Sequence, residues 1–207
     1  MSYTELLNRH PITSDQIDRS GLTVVLRELE SVLEQGTPGA LAEFGCYSGT
    51  TSLFIRRLLD GRGESAQRPF YAYDSFTGLP AKTAPDASSA GEAFQAGQLS
   101  VSKRDFMQAF LKAGLRPPIT HKGWFKDLQD EQLPSTLAFA FLDGDFYESI
   151  RDSLKLTWPR LNRGGTVVID DYQREALPGV TAAVNDFFSG TPAGLRYEHN
   201  IAIIKKP

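Results

Sequence analysis

Leu41-Ala42-Glu43-Phe44-Gly45-Cys46-Tyr47-Ser48-Gly49-Thr50-Thr51 decides how this chain is read. An apolar run ends in Glu43. A glycine turn follows, and Ser48, Thr50 and Thr51 open an amphipathic segment, Leu53-Phe54-Ile55-Arg56-Arg57-Leu58-Leu59. The order is strand, tight turn, helix. Gly45 lets the backbone turn with no Cβ in the way, and Gly49 lets a ligand come close to the backbone. The helix start offers free N–H groups and a positive dipole end to an anionic group. The spacing is G-x-x-x-G, with Tyr47 where the dinucleotide fingerprint has glycine, and no G-K-[ST] follows. Diphosphate binding is therefore not favoured. A strand-end acid before such a turn suits a small zwitterion, with its carboxylate at the helix end and its ammonium held by Glu43, directly or through water. S-adenosylmethionine fits that description. Glu43, Gly45, Tyr47, Ser48, Gly49 and Thr50 are then candidate cofactor contacts, against the plain alternative of a strand–helix turn without a ligand.

The rest of the composition is ordinary. With 207 residues, 41% hydrophobic and 23% charged, the chain is expected to form one domain, 1–207, with a sizeable core. The net charge is −3 and no stretch concentrates Lys and Arg, which argues against nucleic-acid and anionic-membrane partners. Met1-Ser2-Tyr3-Thr4-Glu5 carries no signal-peptide pattern, and no apolar run approaches membrane-spanning length. The single cysteine, Cys46, cannot make an internal disulfide. These features together give the expectation of a cytoplasmic protein.

Residues 1–20 read as a loosely held arm, and 21–35 as a helix with Leu22, Val25, Leu26, Leu29 and Leu33 on one face. That helix would cover a sheet edge or an oligomer surface. After the helix at 50–60, Phe70-Tyr71-Ala72-Tyr73 is a second strand ending in Asp74. An acid there accepts hydrogen bonds from ribose hydroxyls in nucleoside-binding α/β folds, or else simply caps a turn. Residues 81–100 form a long polar loop at the ligand side, read as a substrate lid rather than a tolerated insertion. A helix over 101–113 turns Phe106, Phe110 and Leu111 inward. Pro118–His121 is a short strand before Gly123-Trp124, where the aromatic could flank an adenine or be simply a core or rim aromatic. Leu137–Leu142 and Thr166–Ile169 are continuous apolar runs, the mark of parallel strands buried on both faces. A helix over 149–158 lies between them and another over 179–188 follows. Leu195–Glu198 and Ile201–Ile204 close the chain as an antiparallel hairpin. The expected fold is α/β: a doubly wound, mostly parallel seven-stranded sheet with a C-terminal antiparallel hairpin.

Ligands of such sheets bind beyond the carboxyl ends of the strands. Glu43, Asp74, Gly123, Asp143, Asp170 and Asp171 all fall at those ends. Asp143 and Asp170-Asp171 end neighbouring strands, and uncompensated carboxylates gathered there would repel one another. A hard divalent cation relieves this, and all-oxygen ligands without His or Cys favour Mg²⁺ over Zn²⁺. The plain alternative is that each Asp caps the following helix. Asp145 stands equally as a general base and as the first residue of a D-x-x-E capping box, in which it would be a poor base.

Glu43-Phe44-Gly45-Cys46-Tyr47-Ser48-Gly49, Asp74-Ser75-Phe76-Thr77-Gly78-Leu79-Pro80, Gly123-Trp124-Phe125-Lys126-Asp127, Leu142-Asp143-Gly144-Asp145-Phe146-Tyr147-Glu148-Ser149 and Ile169-Asp170-Asp171-Tyr172 occur in this order. In this the chain resembles the macrocin O-methyltransferase (TylF-type) family over roughly 40–190. The resemblance implies a class I fold, S-adenosylmethionine and Mg²⁺ as cofactors, and methylation of a hydroxyl on a small molecule, typically a sugar of a natural product. It also implies Asp143, Asp170 and Asp171 as metal ligands. Glu43, Gly45, Asp74, Ser75 and Trp124 are implied in the cofactor pocket, Gly123 and Asp143 are counted with them as expected cofactor contacts, and Asp145 is implied as the base beside Asp143. A nicotinamide-dependent oxidoreductase and a non-catalytic ligand-binding protein are the alternatives on the same sheet. The edge strands and the N-terminal helix are surfaces on which a homo-oligomer could be built.

Overall fold

The apolar run before Glu43 becomes an inner strand. In this computed structural model residues 1–88, 93–190 and 194–207 are described. The strands are β1 (Ala40–Phe44), β2 (Phe70–Asp74), β3 (Ile119–Lys122), β4 (Leu137–Leu142), β5 (Leu161–Ile169), β6 (Leu195–Glu198) and β7 (Ile201–Lys205). They form one seven-stranded sheet in the order β3-β2-β1-β4-β5-β7-β6. β3 through β5 run parallel, and β7 pairs antiparallel with both β5 and β6. The doubly wound sheet with a closing hairpin is as the sequence predicts. Strand order reverses between β1 and β4, which opens a crevice beyond their carboxyl ends.

Side-chain alternation divides the core. Along β4, Phe139 and Phe141 face one layer while Ala140 and Leu142 face the other. The first layer holds α1 (Tyr3–Arg9), α2 (Arg19–Glu34) and α3 (Thr50–Gly61). α4 (Lys103–Lys112) packs Phe106 and Phe110 beside Cys46, Ala72 and Phe76. The second layer holds α5 (Tyr147–Thr157) and α6 (Pro178–Phe188).

Several boundaries differ from those read in the sequence. Residues 1–20 are not a loose arm. Ser2 and Glu5 form a capping box on α1, which buries Leu6 and Leu7. Asp18 caps α2, starting it two residues before Gly21. The buried face of α2 is the one predicted, and it packs on the sheet face over β4 and β5 rather than on an edge. Leu111 is 69% exposed, not inward. It lies one position past Phe110, off the i, i+4 row that Phe106 and Phe110 share. β5 starts at Leu161 and carries Gly164-Gly165 within it, because the backbone of Gly165 runs against the carbonyl of Ala138 where a side chain would not fit.

Candidate active site

β1 ends at Gly45, whose φ of +86° turns the chain sharply. A Cβ here would stand 1.8 Å from the carbonyl oxygen of Asp143, so the two strand ends approach as closely as they do only with glycine present. The Gly45 N–H donates to the Tyr73 carbonyl at 2.8 Å. The Asp74 carboxylate at the end of β2 then ties the turn. One of its oxygens accepts from the Cys46 and Tyr47 N–H groups at 2.9 and 3.0 Å, and the other from Phe76 N–H at 2.7 Å. Glu43 lies beneath this turn, 1% exposed, and accepts a hydrogen bond from the Ser52 hydroxyl of α3. Burial pushes its carboxyl up to about 8; the Ser52 hydrogen bond opposes the rise and the charge of Asp74 adds to it. The Cys46 thiol is buried and likewise pushed up, which makes it a poor nucleophile.

β4 and β5 supply the acids. One carboxylate oxygen each from Asp143, Asp145 and Asp171 lie within 4.8 Å of one another. Burial and mutual repulsion raise the carboxyls of Asp143 and Asp145 well above the usual range, and burial raises that of Asp171. Asp170 is pushed up to about 8, by burial and then by Asp171. Asp170 accepts the N–H of Asp171 at 3.0 Å and adds its charge to Asp143. Asp145 and Asp171 both have left-handed backbone, at φ of 60° and 58°. Asp145 does not cap α5: the cap position is Phe146, and it contributes no side-chain hydrogen bond. The D-x-x-E string therefore leaves the Asp145 carboxylate with the other acids.

A cavity of about 540 Å³ opens between the glycine turn and these acids. Its wall includes Gly45, Tyr47, Asp74, Ser75, Trp124, Asp143, Asp145 and Asp171. Glu43, Ser48, Gly49, Thr50, Gly123 and Asp170 do not line it. Gly49 caps α3 in the left-handed region, and its closest neighbour is the Phe106 ring rather than open cavity. The Thr50 hydroxyl meets that of Thr13 at 3.0 Å, and Gln16 from the same segment reaches the cavity wall. Trp124 is 37% exposed at the rim, not in the core. The lid read over 81–100 includes residues 89–92, which lie outside the described residues. Its described parts contribute Ala81, Thr83, Asp86 and Leu99 to the wall.

A model of the family described as macrocin-O-methyltransferase (TylF) matches residues 11–192. The chain belongs to that family. It is 36% identical over 165 residues to the 8-demethyl-8-(2,3-dimethoxy-alpha-L-rhamnosyl)-tetracenomycin-C 4'-O-methyltransferase of Streptomyces olivaceus, covering 77% of this chain and 61% of that protein. To the mycinamicin III 3''-O-methyltransferase of Micromonospora griseorubida it is 31% identical over 166 residues, covering 77% and 64%. The chain thus spans less than two thirds of these relatives. Among solved structures the O-methyltransferase NovP superposes with a TM-score of 0.77 at 26% identity, covering 89% of this chain and 78% of that one. The calicheamicin methyltransferase CalS11 shares the fold, with a TM-score of 0.74 at 21% identity, covering 98% and 89%.

Three wall residues of this family member escaped sequence reasoning. Arg174 donates to Asp171 at 2.5 Å and lies over the Phe94 ring at 5.3 Å. Its place three residues after Asp171, in a D-x-x-R string, was the available signal. Gln16 and Asp86 carry no motif, and only the fold brings them to the cavity.

Proposed function

We propose that this family member is an S-adenosylmethionine-dependent, Mg²⁺-dependent O-methyltransferase whose acceptor is a hydroxyl on a sugar or vicinal-diol part of a natural product. The observation that carries the reading is the group of Asp143, Asp145 and Asp171 on the wall of the same cavity as the glycine turn. Its size suits one cofactor and part of an acceptor. The printed names of the two curated relatives, O-methyltransferases of a rhamnosyl-tetracenomycin and of mycinamicin III, support the acceptor class.

The donor set fits a hard cation: all-oxygen, mutually repelling, and raised in pKa by burial and then by that repulsion. Asp143 and Asp171 would hold Mg²⁺; Asp170, the third ligand that the family resemblance implies, does not line the cavity, and Asp145 stands with them there instead. Gly45, Tyr47, Asp74, Ser75 and Trp124 would hold S-adenosylmethionine. When bound, S-adenosylmethionine supplies an electrophilic methyl group and Mg²⁺ the charge that lowers a hydroxyl pKa. Asp145 lines the cavity free of helix N–H groups, and so would be placed to accept the proton from the acceptor hydroxyl. Holding that oxygen in line with the methyl group is the main contribution of the remaining wall.

Calorimetric titration of S-adenosylhomocysteine, with and without Mg²⁺, tests the reading. Saturable micromolar binding is expected. Absence of binding under both conditions would remove the methyltransferase reading altogether.

A further inference from the structure

We propose that Asp86, in the described part of the lid, is a positioning residue: it caps α5 in place of Asp145 and so leaves the Asp145 carboxylate in the cavity. The inference rests on the role given to Asp145 above. α5 begins immediately after the acidic string Asp143-Gly144-Asp145, and its first N–H groups need acceptors. The local candidate is Asp145, because Asp145-Phe146-Tyr147-Glu148 has the form of a capping box. Instead, an Asp86 oxygen accepts the Tyr147 N–H at 2.7 Å from 61 residues upstream. The other oxygen accepts the N–H and hydroxyl of Thr83 at 2.8 and 2.7 Å, which seats the short turn Ala84–Asp86. Asp86 is 2% exposed. With its first N–H satisfied from the lid, α5 starts at Tyr147, and Asp145 turns away in the left-handed region at φ 60°.

α6 makes room for this carboxylate. A Cβ on Gly179 would stand 1.8 Å from the Asp86 oxygen and 2.9 Å from the Tyr147 nitrogen. Gly179 sits in the first turn of α6, and alanine is a better helix former than glycine. Gly179→Ala therefore displaces Asp86 without altering either aspartate, while favouring the helix that carries it. Once the lid carboxylate is gone, the local capping box competes for Asp145, and the Asp145 carboxylate leaves the other acids for the end of α5.

The test is NMR of the full chain for wild type, Asp86→Ala, Gly179→Ala and Asp86→Asn. In the two alanine variants the Tyr147 amide is expected to exchange about tenfold faster. The Asp145 backbone carbon shifts are expected to move from left-handed to extended values. Asp86→Asn keeps an acceptor for Tyr147 only by turning its N–H₂ toward the Thr83 N–H, so both signals should lie between wild type and Asp86→Ala. If Asp86→Ala does not fold, Gly179→Ala decides alone. Left-handed Asp145 shifts in a folded alanine variant would overturn the proposal. Calorimetry with S-adenosylhomocysteine separates the two levels. A wild type that does not bind it loses the methyltransferase reading while the Asp86–Asp145 linkage is still judged by NMR. Binding together with an unmoved Asp145 sinks the linkage alone.

Discussion

Glu43 shows how one residue can be found by sequence and yet differ in setting. The acid at the end of β1 was legible, but read as an ionised partner for an ammonium group on the cavity wall. Enclosure beneath the turn and the Ser52 hydroxyl were not legible, because they depend on how α3 sits over the strand. A carboxyl raised to about 8 in the fold binds its proton more tightly there than in the unfolded chain. Its stabilisation is complete below the ordinary carboxylate pKa and is lost as pH rises through about 8. Glu43→Gln keeps an acceptor for Ser52 and does not titrate. Thermal melts should therefore match wild type near pH 4 to 5, with the variant more stable by about 3–5 kcal/mol above pH 8. Parallel curves across that range would mean Glu43 is ionised in the fold. Gly45 is the opposite case, because its reading as a turn glycine needs only the local spacing. Gly45→Ala meets the Asp143 carbonyl and a positive φ together, and should cost about 3 kcal/mol or more in urea unfolding. A loss under about 1 kcal/mol would show that the strand ends can part.

Elements were legible where apolar periodicity was strong. β4 and the buried face of α2 were read correctly because continuous runs and i, i+3, i+4 spacing are local signals. α1 was missed because seven residues with two buried leucines give too short a period to detect. Its stability comes from docking, not propensity. Leu6 is 1% exposed and belongs to the same cluster as Leu26 and Phe54. Leu6→Ala should therefore destabilise the whole fold by about 2–4 kcal/mol, as a core residue does. Chemical denaturation checks this, and a loss below about 1 kcal/mol would restore the picture of a loose arm. The acid site was legible in the same limited sense. Asp143, Asp170 and Asp171 were legible as strand-end carboxylates and Asp145 as the acid two residues beyond, but not that Asp145, rather than Asp170, stands with Asp143 and Asp171. Arg174 and Asp86 did not, because an ion pair three residues along a turn and a cap supplied across the fold leave no periodic trace.

At the scale of the molecule, the doubly wound order brings the ends of β1, β2, β4 and β5 to one edge, and every candidate acid with them. The chain carries only a small net charge of −3, so the repulsion is local to this edge rather than general. Among the described residues, the cation paired within the group is Arg174, bound to Asp171. Asp143 and Asp145 have no such partner there and remain raised in pKa by burial and by their neighbours. An ion that satisfies them binds the folded chain and not the unfolded one, so it must stabilise the fold by mass action. Mg²⁺ alone should raise the melting temperature and EDTA should reverse the rise. S-adenosylhomocysteine at a hundred times its Kd should add about 2.7 kcal/mol, or roughly 5–10 °C for a chain of this size. Asp143→Ala should abolish the Mg²⁺ shift and lower methyl transfer by about a hundredfold or more, while the shift with S-adenosylhomocysteine largely survives. A Mg²⁺ shift that persists in Asp143→Ala would place the ion elsewhere. A wild type indifferent to both ligands would remove the metal-and-cofactor reading, and the cavity would need another occupant.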